Sequence, residues 1–157
     1  MNNSIGSKLP YEHRKNLADI NFKIGSVFKF FDKIAEKEKM LILVGIKYDK
    51  IVIVFVRINT EINLNFFPSS ALKNEHLKLL EDDEKRPFLK HTSFVDCSTF
   101  VTQKSDTVYN MLIDEPSIHL GHLCNEDLLD IKEKISKSRL LSSSQKKEFG
   151  LFFSPKN

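Results

Sequence analysis

The densest run of side chains able to do chemistry is His91-Thr92-Ser93-Phe94-Val95-Asp96-Cys97-Ser98, which places an imidazole, three hydroxyls, a carboxylate and a thiol within eight positions. An imidazole titrates near neutrality and can move a proton either way. His91 therefore reads either as an acid/base group or as a hydrogen-bonded structural histidine. Asp96 stands between Val95 and Cys97 on an otherwise apolar stretch. A carboxylate in such surroundings needs partners, so it is either a hub accepting from Ser93, Ser98 and backbone donors or a catalytic group. Cys97 as a nucleophile would need a neighbouring base and a cationic setting, and the sequence displays neither. With Cys124 it reads as one of two reduced core thiols, the pattern expected of a cytoplasmic protein.

Other candidates carry less. His119 and His122 are three apart, but Leu120-Gly121 between them indicates a turn or strand end, and a zinc site would need further ligands at suitable spacing. The run Glu81-Asp82-Asp83-Glu84 reads as a solvated loop, because consecutive carboxylates do not converge on one point unless the backbone curls. There is no phosphate-binding glycine loop, no dinucleotide fingerprint, no nucleophile elbow and no internal repeat. Neither a cofactor nor a metal is expected.

The elements that must position these groups follow from patterning. The chain has 157 residues, 41% hydrophobic and 29% charged, which suits one domain with a sizeable core and excludes a disordered chain or a disulfide scaffold. The apolar run Met40–Ile46 is too short to span a membrane, and the polar N-terminus lacks the apolar stretch of a secretory signal. Ser26–Phe31 predicts a first strand. MLILVGIK (40–47) and IVIVFVRIN (51–59), separated by Tyr48-Asp49-Lys50, predict an antiparallel hairpin. Their nearly continuous apolarity requires cover on both faces, in a barrel or under helices.

Residues 1–24 read as an N-terminal arm or a short helix over Glu12–Ile20. Phe66-Phe67-Pro68-Ser69-Ser70 reads as a turn, and a short helix is expected from Ser70 or Ala71 to about Leu80. Phe88–Val101 predicts a strand pair or one long bent strand, followed by a helix over Ser105–Leu112 and a short strand over Ile118–Leu123. A helix capped at Asn125 is expected to reach Ser138. A second should open at Ser142 with Gln145 completing a capping box, and stop at Gly150. The fold class is thus mainly β with α: a small, curved antiparallel barrel of the SH3 kind with C-terminal helices, a domain over 25–150 and a tail over 151–157.

Four segments in this order resemble the PemK/MazF-like toxin superfamily: Ile24-Gly25-Ser26-Val27, IVIVFVRINT (51–60), FLKHTSFVDCS (88–98) and LGHLCNEDLLDIKEKISKSRLLSSSQKKEF (120–149). The resemblance implies an SH3-like barrel and a metal-independent endoribonuclease that cuts single-stranded RNA through the neighbouring 2′-hydroxyl. It also implies a homodimer restrained by a small antitoxin or inhibitory protein. Carried over by position, the basic residue at the start of the second strand is Lys39, the hydroxyl ending the third is Thr60, and the later polar groups are His91, Ser93 and Asp96. Two departures weaken the match. The Arg-Pro pair common at the second strand is Glu38-Lys39-Met40 here, and lysine lacks the bidentate fork of arginine. Phe94 stands where a basic residue would precede Asp96, which leaves His91 as the natural replacement.

The second reading is a non-catalytic SH3-like module that keeps the fold and binds a protein or an oligonucleotide. Charge bears on the choice. The formal net charge is +3, but residues 1–24 and 126–157 each carry +2 and residues 25–125 carry −1. With twenty lysines and four arginines, strong phosphate gripping by the body of the domain is not expected from composition. The 13 phenylalanines read mainly as core, with Phe66 and Phe67 as candidates to stack on bases.

Overall fold

The computed structural model describes residues 8–62 and 69–152. It is a mixed α+β fold built on a curled, six-stranded antiparallel half-barrel sheet. The strands are β1 (Ser26–Asp32), β2 (Lys37–Ile46), β3 (Val52–Asn59), β4 (His76–Leu79), β5 (Ser93–Lys104) and β6 (His119–His122), in the spatial order β4-β5-β3-β2-β1-β6. The helices are α1 (Tyr11–Asn21), α2 (Ser69–Asn74), α3 (Ser105–Asp114), α4 (Asn125–Lys137) and α5 (Ser143–Glu148).

The unbroken apolarity of β2 and β3 is explained by two cores, one on each face of the sheet. On one face Val27, Ile42, Val44, Val54, Val56, Ile58, Val95 and Cys97 pack under Ile131 and Ile135 of α4 and Phe149 beyond α5. On the other, Phe28, Phe30, Leu41, Leu43, Ile53 and Phe55 pack under Ala18 of α1 and Val108, Leu112 and Ile113 of α3. Each large side chain so buried contributes roughly 1.5–3 kcal/mol. The helices therefore lie on both faces of the sheet as well as closing the chain. Helix α1 is tied down by Arg14, whose Nη1 donates to the Ile113 carbonyl at 2.7 Å, and by Tyr109, whose hydroxyl donates to Asp19 at 2.5 Å.

Two irregularities set the phase of the strands. Leu43 pairs with Phe55 but Gly45 with Val54, so Val44 is an extra residue in β2. This bulge turns Ile46 to the face of Ile53 instead of leaving it with Ile42 and Val44. In β5, Asp96 pairs with Arg57 and Val101 with Phe55, so the strand bows away from β3 over Cys97–Phe100. There the Cys97 amide donates to the Glu75 carbonyl at 2.9 Å. The 88–101 segment thus supplies one long bent strand.

One expectation fails. The helix that opens at Ser69 ends at Asn74, and His76–Leu79 is a strand paired with Ser93–Asp96. The edge of β5 offers these four residues a hydrogen-bonded partner, which overrides their local helical preference. Asn125 opens α4 as its first helical residue, one place later than its expected capping role, and the cap position is Cys124. The capping box of α5 forms as expected: the Gln145 amide donates to Ser142 Oγ at 3.1 Å and the Ser142 amide to Gln145 Oε1 at 3.0 Å. Of the turn expected over 66–70, residues 66–68 lie outside the described residues, while Ser69 and Ser70 form the first turn of α2 instead.

Gly45 is where the α5 end meets the sheet. A Cβ there would stand 2.9 Å from the Phe149 carbonyl oxygen and 3.0 Å from Val54 Cγ1. Gly45→Ala should therefore cost about 1–3 kcal/mol by forcing Phe149 off β2. Urea unfolding checks this, and an unchanged midpoint would mean that the contact yields without strain.

Candidate functional site

At the end of the sheet where β2 begins and β3 stops, a cleft of about 480 Å³ is lined by Lys29, Lys37, Lys39, Lys90 and His91. Met40, Ile58, Phe88 and Leu120 supply its apolar part, and Thr60 and Glu38 complete it. Lys29 Nζ stands 3.8 Å from Glu38 on the neighbouring strand, an exposed pair worth little energetically. His91 is exposed, and its Nδ1 lies 3.3 Å from Ser93 Oγ. Since the Ser93 hydroxyl donates to the His91 carbonyl at 3.0 Å, Nδ1 is assigned as the donor to Ser93. Nε2 is then the ring's acceptor.

The segment carrying Phe88, Lys90 and His91 belongs to no helix or strand, so its position has other causes. Arg86 grips Asp127 of α4 as a fork, Nε to Oδ2 at 2.7 Å and Nη2 to Oδ1 at 2.8 Å, while Nη1 donates to the Leu80 carbonyl at 2.8 Å. The guanidinium holds the Asp127 carboxyl below its ordinary range. Asp82 caps the preceding turn by accepting from the Glu84 and Lys85 amides, both at 3.0 Å. Phe88 rests against Gly121 of β6, where a Cβ would come within 3.2 Å of its ring.

The opposite face of the same sheet end holds a second polar group. Arg57 and Asp32 form a buried ion pair, Nε to Oδ2 at 2.5 Å, and Asp32 Oδ1 also accepts from the Ile34 amide at 2.9 Å. Burial pushes the Asp32 carboxyl up, but Arg57 and the Ala35 and Ile34 amides outweigh it and hold the carboxyl low. Lys39 donates to Asn59 Oδ1 at 2.6 Å. Its ammonium is pushed down by burial and by the charges of Lys37 and Arg57. Asp96 pairs in register with both Arg57 and His76. It accepts from the Ser98 amide at 2.9 Å and the Ser98 hydroxyl at 2.5 Å, and stands 3.8 Å from His76 Nε2.

The five site residues expected from sequence are thus divided between the cleft and the Arg57 face. Thr60 and His91 line the cleft, and Ser93 supports His91 from beside it. Asp96 lies on the Arg57 face, bound as a hub by Ser98. Lys39 reaches the lip of the cleft but directs its ammonium to Asn59. Lys29, Lys37, Glu38 and Lys90 line the cleft without having been singled out. Lys37 and Lys39 sit at alternate positions as β2 begins, and Arg57 is the lone charge in the apolar β3 run; both were signals of this rim. Phe66 and Phe67 lie outside the described residues. Cys97 is buried and its thiol is pushed far up by burial, so it is unreactive as a nucleophile.

The His119 and His122 rings lie with centroids 4.6 Å apart, tilted by 52°, and His119 meets Phe28 edge-on. Among the described residues no group of three His, Cys, Asp or Glu is placed to hold a metal ion, and no helix is long and apolar enough to cross a membrane. The fold and rim define a mixed α+β half-barrel with a basic cleft at one sheet end. No family model and no curated protein matches the chain.

Two predictions follow from these buried charges and rings. Asp32→Ala should cost about 3–5 kcal/mol, because it strands the Arg57 guanidinium in a buried site. Denaturant titration reads this directly, and a loss below 1 kcal/mol would mean that Arg57 reaches water unaided. The His119 ring is held neutral, its pKa pushed down to about 4 by burial and by His122. An unfolded imidazole takes up its proton near 6.5, so stability must fall as pH drops from about 6.5 to about 4. His119→Phe should flatten that slope, and an unchanged slope in the variant would assign it elsewhere.

Proposed function

We propose that the cleft binds single-stranded RNA and cleaves it without a metal, the activity implied by the resemblance to the PemK/MazF-like toxins. The observation that carries this reading is the convergence of His91 with Lys29, Lys37 and Lys90 on one cleft that also has an apolar lining. Attack of a 2′-hydroxyl on the adjacent phosphorus needs a group to take the hydroxyl proton. A second must protonate the departing 5′-oxygen, and cations must stabilise the phosphorane. His91 supplies the imidazole, and Glu38 is the one carboxylate among the described lining residues. The lysines supply positive charge. The products would be a 2′,3′-cyclic phosphate and a free 5′-hydroxyl. Met40, Ile58 and Leu120 give a base an apolar surface beside the reacting phosphate.

A non-catalytic RNA-binding module is the second reading. It is favoured by one observation: Lys39 and Asp96, both expected among the catalytic residues, are engaged with Asn59 and Ser98 away from His91.

Incubation of the pure protein with mixed single-stranded RNA in EDTA separates the two. The nuclease reading expects cyclic-phosphate ends and at least a 100-fold loss of rate in His91→Gln, with RNA affinity kept within a few-fold. Asp96→Asn should lower stability more than it lowers the rate per folded molecule. Binding without any cleavage by the wild type would leave the module reading in place.

A further inference from the structure

The cleft does not end at its own lip. Lys37, Lys39 and Thr60 line it and also line a second depression of about 240 Å³, completed by Asn59 and Glu61. The two hollows therefore share a wall, formed where β2 begins and β3 ends. Strand pairing explains the wall. Met40 opposite Ile58 sets Lys39 opposite Asn59, and their 2.6 Å hydrogen bond fixes the ammonium on the rim. Lys37 is exposed two residues earlier. Beside the first hollow, Phe31 is 57% exposed on β1 and pairs with Glu38. The β1 alternation puts it on the side of Lys29, away from the buried Phe28 and Phe30.

We propose that the RNA path is longer than the reactive cleft: a single strand leaves the His91 cleft, crosses the rim over Lys37 and Lys39, and continues into the Asn59–Glu61 depression, with Phe31 as a stacking platform for a base. This rests on the RNA-binding reading above. A phosphodiester chain fits the rim because its charges recur along the strand and meet cations held on successive surfaces. An exposed aromatic beside them accepts any base face. The carboxylate of Glu61 stands at the far side of the second hollow and marks the end of the favourable path. Lys39 then serves as a held phosphate contact, a role consistent with its ammonium being turned to Asn59 and not to His91. A strand duplexed with its complement buries its base faces and cannot use Phe31 in this way.

The test uses 2′-O-methyl oligouridylates of three and nine nucleotides, which lack the attacking hydroxyl and stay intact. Binding is followed by fluorescence anisotropy over a salt series with the full chain. For the nine-mer, Lys37→Gln should reduce the slope of log affinity against log salt by about 0.7, and Lys37→Gln/Lys39→Gln by about 1.4. The trimer should lose much less. Phe31→Ala should weaken the nine-mer roughly tenfold while leaving its salt slope unchanged. Lys37 is exposed, so its single variant tests the path even if the double variant is poorly folded. A wild type that binds the nine-mer with a slope unaffected by Lys37→Gln overturns the path and leaves the RNA reading standing. A wild type that binds neither oligonucleotide at low salt overturns the RNA reading itself.

Discussion

The antiparallel pairing of β2 with β3 is the constraint on which the rest of the molecule depends. These are the central strands of the sheet, and their side chains enter both cores. Because neither face of the pair can be left to water, helices must cover both. Helices α1 and α3 close one side, and α4 with Leu141, Phe149 and Leu151 around α5 the other. The short edge strands β4 and β6 limit the exposed backbone that could pair with another chain. The Val44 bulge is part of the same solution, since it keeps the last residues of β2 in phase with the core they meet.

Where this pair of strands runs out of apolar residues, charge takes over. Arg57 follows Val56 into the interior and is matched by Asp32, and Lys39 follows with Asn59. Polar groups then occupy both faces of the sheet at this end. Such segregation gives a domain body of net charge −1 a locally cationic rim. The composition concealed this, because Glu and Asp residues elsewhere offset the rim lysines in the total.

Much of the fold was legible because its signals are local. Two β-branched runs around Tyr48-Asp49-Lys50 make a hairpin in almost any context, and Ser142 with Gln145 makes a helix start. The strand His76–Leu79 was not legible, since four residues carry too little pattern to outweigh helical preference without the partner strand. The site was half legible. Ser93 and Asp96 stand three apart on β5, so alternation puts them on opposite faces, and His91 stays with Ser93 through its Nδ1 contact. Lys39 and Thr60 were reached through the resemblance, and what the sequence could not supply was the direction of the Lys39 ammonium.

The Arg86–Asp127 fork has a consequence for how the histidine-bearing segment behaves. Residues 80–92 contain no regular element, yet they place His91 in the wall of the cleft. The guanidinium fixes this segment to a buried carboxylate in the first turn of α4, so the segment borrows its rigidity from a helix some forty residues later in the chain. Opening of α4 would then release the segment that walls the cleft. A strand bound in the cleft would register as slowed amide exchange in a helix it never touches.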